Sequence, residues 1–139
     1  MFHTCSSALI RCIDFRLTSA IDAWMVEKGI MDDCDVISVA GIGKSIADNP
    51  ESDDSKYILN QIALSKKLHD IKTLYLVHHT DCGAYGGHGA FEGLKSEKQC
   101  YNDDMNKAHK VISAHIPDIE IKHILADMKS DTDIEFVEV

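Results

Sequence analysis

Short apolar runs recur along the chain and alternate with longer segments whose apolar residues follow helical spacing. Residues 7–13, 35–40 and 72–78 are rich in aliphatic and β-branched side chains and have lengths typical of buried strands. Residues 119–127 alternate apolar with polar side chains, and residues 134–139 repeat this alternation after a short polar turn. The pattern predicts four strands, followed by a fifth that pairs antiparallel at the edge of the sheet.

Helical spacing of apolar residues predicts three helices between these strands. They cover about residues 20–28, 53–68 and 103–116, with Gly29 ending the first and Pro117 following the third. A stretch with five glycines before the third helix is predicted to be a loop. This order predicts an α/β fold: a mainly parallel sheet of four strands, helices on both faces, right-handed crossovers and a C-terminal antiparallel edge strand.

The chain of 139 residues is expected to form one domain, residues 1–139, because this length suffices for a hydrophobic core. The formal net charge of −9 argues against a nucleic-acid partner, which requires clustered Lys and Arg. No run approaches the roughly 18 uninterrupted apolar residues of a membrane span, so no membrane partner is expected. The 5 cysteines lack disulfide-framework spacing, which fits a reducing compartment and predicts a cytoplasmic location.

Cys12, Asp14 and Arg16 occupy alternate positions at the end of the first predicted strand. If extended backbone continues to Arg16, their side chains share one face, while those of Ile13 and Phe15 point the other way. A thiol, a carboxylate and a guanidinium then meet at the carboxyl end of the strand. A buried unpaired charge is costly, so the presence of Asp14 and Arg16 beside Cys12 favours a functional site over ordinary packing.

A second cluster, His79-Thr80-Asp81-Cys82-Gly83, begins at the carboxyl end of the third predicted strand. Ligands collect at the carboxyl ends of parallel strands, so His79 and Cys82 are expected to converge with Cys12. Two thiolates and a neutral imidazole suit Zn²⁺ and leave one tetrahedral position for water or a carboxylate, although iron or cobalt would fit the same geometry. The alternative from the residues alone is that the cysteines are ordinary core residues.

The two clusters together resemble a known family. Cys12-Ile13-Asp14-Phe15-Arg16 and His79-Thr80-Asp81-Cys82-Gly83 resemble the C-x-D-x-R and H-x-x-C-G motifs of the β-class carbonic anhydrases, and Ala40-Gly41 is similar to the family's Ala-Gly turn after the second strand. The resemblance extends over nearly the whole chain. It implies a zinc lyase that reversibly hydrates carbon dioxide to bicarbonate by zinc-bound hydroxide, and a homodimer or higher homo-oligomer.

The resemblance also implies a role for each motif residue. Cys12, His79 and Cys82 would bind Zn²⁺, and Asp14 with Arg16 would form the family's gating and orienting dyad. Asp14, held by Arg16, would accept a hydrogen bond from the hydroxide and orient it toward the substrate. Without the Arg16 pairing, Asp14 would become a fourth zinc ligand and close the site.

Two alternatives stay open at this level. Relatives with this scaffold hydrolyse carbonyl sulfide or carbon disulfide, linear molecules that zinc hydroxide attacks at carbon in the same way. Ala40-Gly41-Ile42-Gly43 lacks the Asn often found beside the family's Ala-Gly pair. We also expect no counterpart of the family's N-terminal helical arm before Cys12. The second alternative is a closed, non-catalytic zinc site with a structural or sensory role and Asp14 on the metal. Arg16 argues against a purely structural site, which has no evident need for a guanidinium beside its carboxylate.

Other chemistry-bearing residues are expected to remain outside this site. His78 should point to the opposite face of the third strand and pack or form a hydrogen bond there. His88 lies in the glycine-rich loop and is a candidate proton shuttle, while the glycine spacing around it matches no nucleotide-binding loop. Cys5, Cys34 and Cys100 have no partner at metal-ligand spacing; Cys34 is predicted to be core, and Cys5 and Cys100 to be exposed thiols.

Overall fold

The strands of residues 3–139, the part of the chain that the computed structural model describes, pair into one five-stranded sheet. They are β1 (Ser7–Arg11), β2 (Cys34–Ser38), β3 (Thr73–His79), β4 (Glu120–Met128) and β5 (Ile134–Glu138). The helices are α1 (Thr18–Lys28), α2 (Lys44–Asp48), α3 (Asp53–His69) and α4 (Leu94–His115). Apart from α2 and the start of α4, these bounds lie within two residues of the predicted ones.

The sheet has the strand order β2-β1-β3-β4-β5. The first four strands run parallel, and β5 runs antiparallel to β4 at the edge. This confirms the predicted α/β fold with its mainly parallel sheet. Because β1 and β3 are neighbours, residues that follow these two strands meet at one edge of the sheet.

Alternating strand residues fill two apolar cores, one on each face of the sheet. Ala8 and Ile10 of β1 belong to the core that α2, α3 and α4 cover. Leu9 belongs to the opposite core, together with Ile21 and Trp24 of α1. Helices therefore cover both faces, as predicted. Among residues 3–139, no helix combines the length and apolar character that crossing a membrane requires.

Two helical features differ from the prediction. The helix α2 was not predicted, because it is a short helix of 5 residues with only Ile46 buried. The helix α4 begins at Leu94 and not near residue 103, where the apolar spacing starts. Its first turns bury Glu97 and Tyr101, and a glutamate at a core position is not recognisable from hydrophobic periodicity.

Candidate metal centre

Three potential metal ligands converge at the carboxyl edge of β1 and β3. Cys12 directly follows β1, His79 is the last residue of β3, and Cys82 lies in the turn after it. Their ligand atoms all lie within 4.8 Å of one another, and the two Sγ atoms are 4.0 Å apart. All three side chains are buried. Adjacent parallel strands thus bring Cys12 together with His79 and Cys82, which follow it by 67 and 70 positions in the sequence.

The His79 ring is oriented so that one nitrogen is left for a ligand. Its Nδ1 donates a hydrogen bond to the Thr80 carbonyl oxygen, at 2.7 Å, which leaves Nε2 as the unprotonated nitrogen. Nε2 is buried without a hydrogen-bond partner. An unpaired buried acceptor is costly unless something binds it, and fixing one imidazole nitrogen to a carbonyl is how proteins orient a metal-binding histidine. The donor set therefore fits a zinc ion.

The thiols of Cys12 and Cys82 are buried and hydrogen-bonded to each other. Hydrogen bonding from Cys82 lowers the pKa of the Cys12 thiol against the effect of burial, and the Gly41 N–H also donates to its Sγ at 3.4 Å. The same contact with Cys12, together with burial, raises the pKa of Cys82. A divalent cation would replace the proton that this pair shares. Gly41 has φ of +59°, and a Cβ added to it would collide with Ala84, so this approach to Cys12 requires glycine.

The backbone after β1 does not continue as an extended strand, and the prediction of alternating faces from Cys12 to Arg16 is wrong. Arg11 ends β1 and is buried, with its Nε donating to the Cys12 carbonyl and its Nη2 to that of Asp14. These bonds bend the chain into a 3-10 turn at Phe15–Leu17 that Asp14 caps through the Arg16 N–H. The turn still brings Asp14 and Arg16 to the side of Cys12.

Asp14 and Arg16 form a clamped ion pair beside the three donors. Arg16 Nη2 lies 2.7 Å from Asp14 Oδ2, and Arg16 Nε lies 3.1 Å from Oδ1. These hydrogen bonds lower the pKa of Asp14 to about 2, although partial burial opposes the shift. Asp14 Oδ2 lies 3.9 Å from His79 Nε2, yet Asp14 does not belong to the cluster of ligand atoms. The carboxylate faces the donors while the guanidinium holds it.

Arg16 is itself anchored by further carboxylates. Its Nη1 contacts Asp81 Oδ2 at 3.1 Å and the exposed Asp131 at 3.3 Å. Its Nη2 also donates to the Asp81 backbone oxygen. Asp81 therefore joins the second motif to the first through Arg16. Asp131, which follows β4, could not be assigned to the site from its position in the sequence.

The sequence also did not reveal Glu97 as a support of the second motif. This glutamate is buried, accepts a hydrogen bond from the Asp81 N–H at 2.6 Å, and accepts another from the Tyr101 hydroxyl at 2.6 Å. Its other oxygen lies 2.5 Å from Nδ1 of the half-exposed His88 ring. The Asp81 backbone has φ of +56°, so Glu97 fixes the strained turn between His79 and Cys82.

The histidine that precedes the second motif, His78, lies away from the donors. His78 is buried on the opposite side of β3, and its Nε2 lies 3.3 Å from the Tyr85 hydroxyl. Burial lowers the pKa of His78 to about 3, so the ring is neutral. This confirms that His78 packs and forms a hydrogen bond, as predicted. Tyr85 in turn donates to Asp104 of α4 at 2.7 Å.

Comparison with protein families and curated sequences gives a consistent picture. Residues 2–138 match a family model described as "Putative carbonic anhydrase". An "Uncharacterized protein" of Rickettsia bellii is 32% identical over 119 residues, which cover 84% of this chain and 73% of that protein. A second uncharacterized protein, from Rickettsia conorii, is 29% identical over 119 residues, which cover 84% of this chain and 64% of that protein.

Solved structures with a similar fold include two β-carbonic anhydrases. The β-carbonic anhydrase CcaA matches with a TM-score of 0.59 and 13% identity, over 99% of this chain and 78% of that chain. The β-carbonic anhydrase CafD of the filamentous fungus Aspergillus fumigatus matches with a TM-score of 0.59 and 10% identity, over 97% of this chain and 88% of that chain. At these identities the likeness establishes a shared fold.

Proposed function

Because the chain belongs to the carbonic anhydrase family whose model matches residues 2–138, we propose that it catalyses the reversible hydration of carbon dioxide, CO2 + H2O ⇌ HCO3⁻ + H⁺. Zn²⁺ would be held by Cys12, His79 and Cys82. The observation that carries this proposal is the buried, unpartnered Nε2 of His79, which faces two buried thiols. A clamped Asp14 carboxylate beside these donors supports a catalytic site over a closed one.

Each residue has a distinct task in the proposed reaction. Zinc, when bound by two thiolates and one imidazole, lowers the pKa of a coordinated water to about 7 and so supplies hydroxide at neutral pH. Asp14 accepts a hydrogen bond from the attacking oxygen and directs its lone pair toward the carbon of CO2. Arg16 keeps Asp14 ionised and holds its carboxylate beside the metal position without letting it bind there. The Thr80 carbonyl fixes the His79 tautomer.

Stopped-flow measurement of CO2 hydration by the zinc-loaded protein tests the proposal. We expect a rate well above the buffer background that rises as pH increases through neutrality, because hydroxide is the reactive form. Asp14, with a pKa of about 2, loses its charge only near that pH and so adds no titration between pH 5 and pH 9. Zinc-loaded protein without any rate at any pH would reject the proposal. Turnover of carbonyl sulfide or carbon disulfide by the same sample would then identify the substrate class.

We also propose a homodimer in which the turn after β1 is covered by the partner. Ile13 and Phe15, which flank Asp14, expose 62% and 85% of their surface, an unusual exposure for apolar side chains beside a buried site. The family supports such an assembly, and a partner at this turn would remove the two exposed apolar side chains from water.

Phe15→Asp should convert the dimer into a monomer. Burying one phenylalanine contributes about 2–3 kcal/mol, so its loss together with a desolvated carboxylate should weaken dimerisation at least about 30-fold. Sedimentation velocity over a range of concentrations measures this shift. Tyr57→Asp is the matched control, because Tyr57 is 65% exposed on α3, and it should leave the assembly unchanged. Wild-type protein that sediments as a monomer, or a Phe15→Asp variant that still dimerises, would contradict the proposal.

A further inference from the structure

A second group of potential metal ligands lies at the amino ends of the strands, opposite the first centre. Within residues 3–139, ligand atoms of His, Cys or carboxylate side chains gather within 4.8 Å of one another in two groups. One is the centre described above, and the other consists of Cys5, Asp35 and His69. We propose that Cys5, Asp35 and His69 bind a second divalent cation of the zinc type. Cys5 has no partner at metal-ligand spacing along the sequence, but Asp35 and His69 lie beside it in the fold.

The fold positions all three ligands at the amino ends of β1 and β2. Cys5 lies two residues before β1, Asp35 lies in β2 beside Ala8 of β1, and His69 ends α3. The Cys5 N–H donates to the His69 carbonyl at 3.1 Å, which fastens the segment before β1 to the end of the helix. The three residues come from separate parts of the chain, so sequence spacing alone could not reveal the group.

The Asp35 carboxylate is held in place in the way that metal ligands usually are. Ser65 Oγ donates to Asp35 Oδ2 at 2.6 Å, and Ser65 is buried in α3. His69 Nδ1 lies 2.6 Å from the same oxygen. Partial burial acts to raise the pKa of Asp35, but these two hydrogen bonds outweigh it and lower the pKa, so the carboxylate is charged. A cation can replace the proton that Asp35 and His69 share.

The donor types select the class of metal. One thiolate and one carboxylate neutralise a divalent charge, and a soft sulfur with an imidazole favours zinc, cobalt or nickel over magnesium or calcium. The exposed His3 ring lies 5.2 Å from the His69 ring, centroid to centroid, but is not part of the group of ligand atoms. A cavity of about 260 Å³ lined by His3, Cys5, Asp35 and His69 leaves room for the ion and for water.

A group of Cys, His and Asp could also form a site with a nucleophilic cysteine. The contacts of these residues disfavour that alternative. Burial and the negative charge of Asp35 raise the pKa of Cys5, whereas a nucleophilic cysteine needs a lowered one. His69 pairs with Asp35 and makes no hydrogen bond to the Cys5 sulfur among the contacts of these residues. A metal ion satisfies all three side chains at once.

Counting bound zinc tests this proposal separately from the catalytic one. Zinc-loaded, dialysed protein is measured by inductively coupled plasma mass spectrometry for the wild type, Cys5→Ser and Asp35→Asn. We expect each variant to bind one zinc fewer per chain than the wild type. Cobalt substitution gives a second readout, since both Cys5→Ser and Asp35→Asn should lose the part of the thiolate-to-cobalt charge-transfer absorption that comes from Cys5.

A cysteine outside both groups of ligand atoms provides the control for the zinc count. Cys100→Ser removes a half-buried thiol that belongs to neither group and should keep the wild-type zinc count. An unchanged zinc count in both Cys5→Ser and Asp35→Asn would overturn the proposal, and the Cys5, Asp35 and His69 contacts would then be ordinary hydrogen bonds. Cys82→Ala reports on the first centre alone, so failure of one site is distinguishable from failure of the other.

Discussion

Cys82→Ala should remove zinc from the centre at β1 and β3 and reduce CO2 hydration by at least about 100-fold, since loss of an outer partner of a ligand already costs about 10–100-fold. Cys82 is 2% exposed, and its sulfur lies 4.0 Å from that of Cys12. Without it, one thiolate and one imidazole remain, too few ligands to retain the ion against dialysis. Stopped-flow hydration rates and zinc content, measured on the same samples, check both effects.

Cys100→Ala is the matched control for this change. Cys100 is a half-buried cysteine of α4 that belongs to neither group of ligand atoms. The control should therefore keep both zinc content and rate, while the thermal unfolding temperature of each variant reports any damage to the fold. A Cys82→Ala protein that hydrates CO2 at the wild-type rate would show that catalysis, if present, does not depend on this thiol.

The convergence of Cys12 with His79 and Cys82 was predictable because it follows from topology. Residues after neighbouring parallel strands meet whatever the intervening sequence does, and both motifs follow strands with clear apolar patterns. The predicted strands, the sheet and its edge strand are confirmed for the same reason. Periodicity and strand order carry this information without any knowledge of side-chain contacts.

The supports of the site were not predictable, because they depend on individual hydrogen bonds. Arg11 lies inside the predicted strand of residues 7–13, yet it ends β1, and its guanidinium bends the following turn by binding two backbone oxygens. Glu97 precedes the helix predicted from the sequence, yet it is buried in α4 and accepts a hydrogen bond from the Asp81 N–H. Burial of a charged side chain is favourable only with specific partners, and a hydrophobicity pattern does not contain these partners.

Arg16→Gln should lower the CO2 hydration rate by about 10–100-fold while zinc stays bound, the range expected for loss of an outer partner of a metal centre. The fall of the Asp14 pKa from 3.8 to about 2 corresponds to roughly 2 kcal/mol in favour of the clamped carboxylate. Glutamine is neutral and cannot contact both carboxylate oxygens. Asp14, which lies 3.9 Å from His79 Nε2, would then be free to move onto the metal position and close the site.

Asp131→Asn separates this specific role from a general effect of charge near the metal. Asp131 contacts the same guanidinium at 3.3 Å but is 78% exposed, and exposed ion pairs contribute about 1 kcal/mol or less. Its loss should therefore change the rate by no more than about fivefold. If the Arg16→Gln variant keeps the wild-type rate, the ion pair with Arg16 is not needed to keep Asp14 off the metal, and the gating role is contradicted. If it loses zinc together with rate, the guanidinium supports the fold of the centre, and the gating role of Asp14 and Arg16 is wrong.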